Sequence, residues 1–195
     1  MRLRLWAISL CLSLLLACQN FPAGSASNAT GHLIAHIPTG WIAHHTVQSN
    51  SLDFFEFLPP GQDPLNWQSK LVLERTRAPI TLTPVQILEQ ADQKLEENCH
   101  SFSKALIFSG QEYEMDSAVT LATCRTTKDQ HNGLIQLSKA IWASPDWYFI
   151  KVRVKVSAFS QADELKHQHL IKYWSTFLRK NIVCNPDAEL SACGN

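Results

Sequence analysis

The side chains of this 195-residue chain with the most chemistry to offer are its six cysteines and eight histidines. Cys99, Cys124, Cys184 and Cys193 lie in the body of the chain. A four-thiolate zinc site favours close pairs such as C-x2-C. The 24 and 8 residues that separate these cysteines do not supply such pairs. As disulfides, four cysteines allow three pairings, and the shorter closed loops favour Cys99 with Cys124 and Cys184 with Cys193. The histidines do not converge. His32 and His36 flank an extended-looking Leu33-Ile34-Ala35 and would stand about 13 Å apart on a strand. His44 and His45 would point to opposite faces, and His167 and His169 would diverge on a helix. Carboxylates gather at Glu96-Glu97 and at Glu112, Glu114 and Asp116. A glycosidase-type site needs two of them held across a cleft, and a solvated helix end and a turn account for these groups. There is no G-x-S-x-G, no H-E-x-x-H and no glycine-rich phosphate loop, and seven glycines leave little material for one. No catalytic residue, metal or cofactor is therefore expected, and the chain reads as a non-enzyme.

A further cysteine, Cys18, ends an apolar run. Leu5 to Ala17 is 13 residues long, whereas a helix crossing a bilayer core of ~30 Å needs about 20. Arg2 and Arg4 ahead of a short apolar core that ends in a small residue have the layout of an export signal. Leu15-Leu16-Ala17-Cys18 resembles the bacterial lipobox, whose cysteine becomes the first mature residue and carries diacylglycerol and usually a third acyl chain. That resemblance implies a signal peptide over 1–17 and a lipidated Cys18. Two or three chains anchor a protein stably, where one binds reversibly. Gln19, rather than Asp, after the cysteine implies the outer membrane, with the protein facing the periplasm. Residues 18–31 are small and polar and read as a flexible tether with an r.m.s. span of roughly 20 Å. In an exported chain the remaining cysteines persist as disulfides.

Charge excludes one class of partner. Loss of Arg2 and Arg4 from 17 basic residues leaves 15 against 17 acidic ones, a net charge of −2 with neutral histidines. No basic face of the kind nucleic acid requires can be built from that balance.

The elements that must position these groups are legible from pattern. An extended stretch runs from His32 to Ile37, a Pro-Thr-Gly turn follows, and a second strand starts at Trp41. Leu52 to Leu58 forms a third, stopped by Pro59-Pro60-Gly61, and Trp67 to Arg75 resumes an extended pattern. Thr83-Pro84 opens a helix, with Gln86 placed to close a capping box. Its stripe of Leu88, Ala91 and Leu95 extends to Cys99. A later strand, "SAVTLATCRTT", holds Cys124, so a Cys99–Cys124 bridge would staple helix to sheet. In "DWYFIKVRVKVSA", Tyr148, Ile150, Val152, Val154 and Val156 alternate with Trp147, Phe149, Lys151, Arg153 and Lys155. Such alternation means one face packed and one wet. Ser160, with Asp163 three residues on, caps a final helix carrying Leu170, Trp174, Phe177 and Leu178, and the tail from Val183 reads as a loop. The 32–195 region is thus expected to be one α+β domain, a mainly antiparallel sheet covered by two helices.

Pro60, Gly61, Asn66, Trp67, Cys99, Cys124, Val183, Cys184 and Cys193 form a pattern that resembles a family of small, uncharacterised exported proteins of proteobacteria with an Asn-Trp motif and a terminal Val-Cys…Cys. This chain departs from that pattern at Gln68-Ser69-Lys70-Leu71 and at Asn185. The arrangement also resembles, more distantly, the PsbP-like and DcrB-like fold, which implies an accessory or binding role rather than catalysis. The aromatic residues fit such a role. Trp147 and Phe149 share the nominally outward face with Lys151, Arg153 and Lys155, and aromatics beside cations are enriched at interfaces. Together with Trp67 they form the expected contact surface for an envelope protein partner. The alternative is a small-ligand binder or enzyme whose site sits between helix and sheet.

Overall fold

The computed structural model describes residues 31–184, apart from 79 and 130. The signal segment, Cys18, the tether up to residue 30 and Cys193 therefore lie outside the described residues. Eleven principal elements follow one another: β1 (His32–Ile34), β2 (Ile42–Gln48), β3 (Leu52–Leu58), β4 (Ser69–Arg77), α1 (Pro84–Glu97), β5 (Phe102–Glu112), β6 (Met115–Cys124), β7 (Gly133–Ala143), β8 (Asp146–Val156), α2 (Gln168–Lys180) and β9 (Ile182–Cys184). Seven strands form one antiparallel sheet in the order β2-β3-β4-β8-β7-β6-β5, and β1 pairs with β9 in a separate two-stranded ribbon. The fold is α+β, with strands predominating.

The large sheet is two meanders, β2-β3-β4 and β5-β6-β7-β8, joined where β4 lies against β8. Asp146, fully buried at the start of β8, receives Arg77 Nε at 2.9 Å and Arg75 Nη1 at 3.4 Å from β4. These charge-assisted bonds fix the register of the junction. α1 carries the chain from the junction to the β5 edge, packing on β6 and β7 as it crosses. Its start is the expected capping box: Gln86 N donates to Thr83 Oγ1 at 3.3 Å, and Thr83 N donates to Gln86 Oε1 at 2.9 Å. Such a box satisfies two of the helix's orphan donors.

The core lies between the sheet and α2. Leu71, Leu73, Ile135, Leu137, Ile141, Tyr148, Ile150 and Val152 face Trp174 and Leu178, and Leu33, Ile37 and Trp41 close the β3-β4 end. The side of β8 assigned to the core, Tyr148 to Val154, is buried as expected. Lys139 is the buried cation on this face. It is fully buried, donates to Asn181 O at 2.9 Å and Leu178 O at 3.4 Å, and pairs with Glu112 at 2.7 Å. A cation at a helix C-terminus meets the orphan carbonyls and the negative end of the dipole. Burial holds its ammonium below the usual lysine range, with the Glu112 bond pulling the other way.

Three expectations need correction. The face of β8 that carries Trp147 is not wet, because α1 folds over that side of the sheet. The final helix is not continuous from Ser160: a 3₁₀ turn, Gln161–His167, precedes α2. Asp163 nonetheless caps that turn, accepting from Ser160 Oγ at 2.7 Å. Finally, the tail does not begin as a loop, since Ile182, Val183 and Cys184 pair with Ile34, Leu33 and His32.

Candidate functional site

Trp67 reaches its place through a loop built from its own polar side chains. Gly61 turns the chain with φ of +77°, a conformation that glycine adopts without strain. Asp63 Oδ1 then accepts from the backbone of Leu65 at 2.8 Å and Asn66 at 3.0 Å, and Asn66 Nδ2 donates to Asp63 Oδ2 at 3.3 Å. These bonds, the Leu65 N–H first, hold the Asp63 carboxyl below the usual carboxylate range. Gln62 Oε1 accepts from Gln68 N at 2.6 Å and closes the loop. The Asn-Trp dipeptide is thus half scaffold and half delivery, for Trp67 packs on Leu95, Cys99, Cys124 and Leu134.

Cys99, just beyond α1, is bonded to Cys124 of β6, with Cα atoms 5.6 Å apart. The bridge pins the last turn of the helix to the sheet. Cys184 is also disulfide-bonded, and Cys193 falls outside the described residues.

On the sheet side, Lys151, Arg153 and Lys155 are half-buried along the edge of α1. Arg153 Nε donates to Gln136 Oε1 at 2.6 Å. Gln136 Nε2 donates to Asp92 Oδ1 at 2.8 Å, and Thr120 Oγ1 donates to Asp92 Oδ2 at 3.0 Å. This polar chain runs beneath α1 from β8 through β7 to β6. Asp92 is 1% exposed, and burial raises its carboxyl above the ordinary value of 3.8 despite both hydrogen bonds. Burial likewise lowers Lys151, with the neighbouring Arg153 charge acting in the same direction, and lowers Arg153 itself.

Between the end of α1 and these strands opens a cleft of about 400 Å³, whose walls include Trp67, Lys94, Asn98, Asp129, Arg153 and Lys155. Lys155 Nζ lies 4.4 Å from the Trp67 ring centre, and Lys70 Nζ lies 4.6 Å from it. Lys70 also pairs with Glu56 at 2.9 Å. Arg75, Arg77, Arg125, Lys139 and Lys166 likewise pair with carboxylates. Lys94, Lys151, Arg153 and Lys155 make no ion pair within 4.0 Å among the described residues.

The structure therefore brings together Trp67, Arg153 and Lys155 from the expected contact surface, places Lys151 beside them, and removes Trp147. That indole is 1% exposed and is stacked between Trp142 and Phe149 at 6.1 and 6.3 Å. Phe149 packs against the cluster of Leu88, Ala118 and Ala140 under α1. Phe149 thus serves the helix-to-sheet interface, and Trp147 is buried in the aromatic stack beside it. Asp92 and Gln136 escaped the sequence reading. Their signal was an acidic residue on the apolar stripe of α1, four positions after Leu88. Of the histidines, His32, His36, His44 and His45 are exposed. No group of three or more His, Cys, Asp or Glu side chains among the described residues is placed to hold a metal, and no described helix is long and apolar enough to cross a membrane.

No family model matches the chain, and no curated protein matches it in sequence. Among solved structures it is similar to LpqN of Mycobacterium tuberculosis, described as involved in cell envelope biogenesis, with 10% identity, coverage of 83% of this chain and 87% of that one, and a TM-score of 0.44. It is similar also to a cyanobacterial PsbP from Synechocystis, with 12% identity, 78% and 94% coverage and a TM-score of 0.40. A third likeness is to a Pseudomonas aeruginosa protein of unknown function, with 14% identity, 75% and 94% coverage and a TM-score of 0.38. A PsbP is thus among these distant likenesses, and no function is carried over from them.

Proposed function

We propose that this chain is a non-enzymatic lipoprotein of the bacterial envelope. In this reading it is an accessory or binding module held at the outer membrane by lipid on Cys18, facing the periplasm, and belonging to a larger envelope or secretion assembly. Its working surface is the cleft beside Trp67. The observation that carries this reading is the gathering there of Arg153 and Lys155, half-buried and without an ion pair within 4.0 Å among the described residues. Charges partly withdrawn from water and not directly paired cost stability, and an incoming partner that pairs with them offsets that cost. The Cys99–Cys124 bridge supports export, since disulfides persist in oxidising compartments. The size of the cleft favours a second form of the reading, a small-ligand binder with its site between helix and sheet, because such sites run to about 300–1,000 Å³.

Two measurements test this. Cells fed radioactive palmitate should label the chain, and Cys18→Ser should abolish the label; an unlabelled wild-type chain rejects the anchor. A photoreactive phenylalanine in place of Trp67 should form adducts in cells that the same probe at exposed Lys172 of α2 does not form. Identical adduct patterns at the two positions reject the cleft as the working surface.

A further inference from the structure

The walls of the cleft carry three cations, Lys94, Arg153 and Lys155, against one carboxylate, Asp129, a surplus of two positive charges. Arg153 and Lys155 are two residues apart on one face of β8, about 6.6 Å at strand spacing. Only Nε of Arg153 is committed, to Gln136. Its two terminal nitrogens have no hydrogen-bond partner among the described residues, and a guanidinium offers them as a fork that matches an oxyanion. Gln136 is itself held by buried Asp92, so the fork is braced from behind.

We propose that this cleft binds the phosphate group of a soluble phosphate monoester, whose two negative charges match the surplus on its walls, through side-chain cations rather than a glycine-rich loop. The inference rests on the cleft being the working surface and adds the class of its occupant. A phosphate group could be offered in solution or on a lipid headgroup, and the position of the cleft favours the first. Gly31, where the tether joins the domain, accepts a hydrogen bond from Tyr148 Oη near the start of β8. Its surroundings include Ala143 at the end of β7. Lys155 lies seven residues further along β8, roughly 23 Å away. With lipid on Cys18, the cleft opens at the end of the domain remote from the tether, which favours a ligand offered from the periplasmic solution.

Calorimetric titration of the oxidised mature protein at low salt with glycerol 3-phosphate should show saturable binding. Arg153→Gln should weaken it at least tenfold and Lys155→Gln several-fold, while Lys172→Gln on α2 should leave it unchanged. Circular dichroism checks each variant. Should Arg153→Gln fail to fold, Arg153→Lys and Lys94→Gln carry the comparison, each expected to weaken binding several-fold. No binding, or binding indifferent to the cleft variants, overturns the proposal. So does flotation of the protein on phosphatidylglycerol vesicles, by these same residues, without binding of glycerol 3-phosphate, or binding of a poly-glutamate peptide in its place. If adducts specific to position 67 persist while phosphate fails, the occupant is wrong and the working surface stands; if both fail, the surface itself is wrong.

Discussion

The two faces of the large sheet are built on opposite plans. Under α2 the sheet presents Leu137, Ile141, Ile150 and Val152, all at 1% exposure or less, and the single buried cation there is answered by Glu112 and the end of the helix. Under α1 the apolar contacts fall into two small clusters, Leu88 with Ala118 and Ala140 and Leu95 with Ala122 and Leu134, and beside them runs a polar chain of Arg153, Gln136, Asp92 and Thr120. Ser138 Oγ and Trp147 Nε1 are buried on this side with no partner among the described residues. The lesson is a division of labour. Apolar area under α2 stabilises the fold, while the α1 side gives up tight apolar packing and leaves cations unpaired where a ligand can reach them.

Breaking that comparison begins with the stable face. Leu137→Ala should cost about 2–5 kcal/mol in urea unfolding, through lost transfer energy and the cavity left behind. A loss comparable to that of a surface substitution would show that α2 does not carry the core. Next comes the device that holds α1 down. Cys99→Ser with Cys124→Ser should lower stability by about 3 kcal/mol, the loop-closure entropy expected for a 25-residue separation. It should also blunt any binding in the cleft, because the last turn of α1 forms one wall.

Asp92→Asn keeps an acceptor for Gln136 Nε2, replaces the second oxygen by an NH2 that can donate to Thr120 Oγ1 once that hydroxyl turns, and removes a buried ionisation. The folded chain holds the Asp92 proton to higher pH than the unfolded chain, whose value is near 3.8, so the group's contribution to stability declines as pH rises through that window. The variant should therefore lie within about 1 kcal/mol of wild type at pH 7 and lack that decline. An unchanged pH profile in the variant would remove Asp92 as its source. Ser138→Ala should be neutral or slightly stabilising, by well under ~1 kcal/mol, since it deletes a buried hydroxyl without a partner. The smallest effect belongs to neither face. Asp163 is partly exposed, and its bonds with Lys166 and Ser160 lower its carboxyl to about 2. Its capping contribution should survive to pH well below the ordinary 3.8 and fade as pH falls through about 2, which an NMR titration of that carboxyl would show directly.

Local devices were legible and long-range coverage was not. The capping box at Thr83 and the alternation in β8 read correctly because each depends on neighbours a few residues away. β5 and β7 escaped notice for opposite reasons. β7 is buried on both faces except at Trp142, with Gln136, Ser138 and Lys139 inside, so its polarity does not alternate. β5 is a sheet edge with Leu106, Ile107 and Phe108 exposed, so its apolar residues mark no core. Trp67 was singled out for its motif, whereas Gln136 and Lys94 join the site only through the crossing of α1.

From order along the chain alone came the α+β class, the start of α1, the Cys99–Cys124 staple and the inward side of β8. Hydrogen bonding between near neighbours and the two-residue period of a strand determine these. Which helix would cover which side, whether Trp147 faced water, and which cations would be left without partners were decided in three dimensions. A strand's pattern records that its two sides differ, but the solvent each side meets is set by helices elsewhere in the chain, α1 well before β8 and α2 after it.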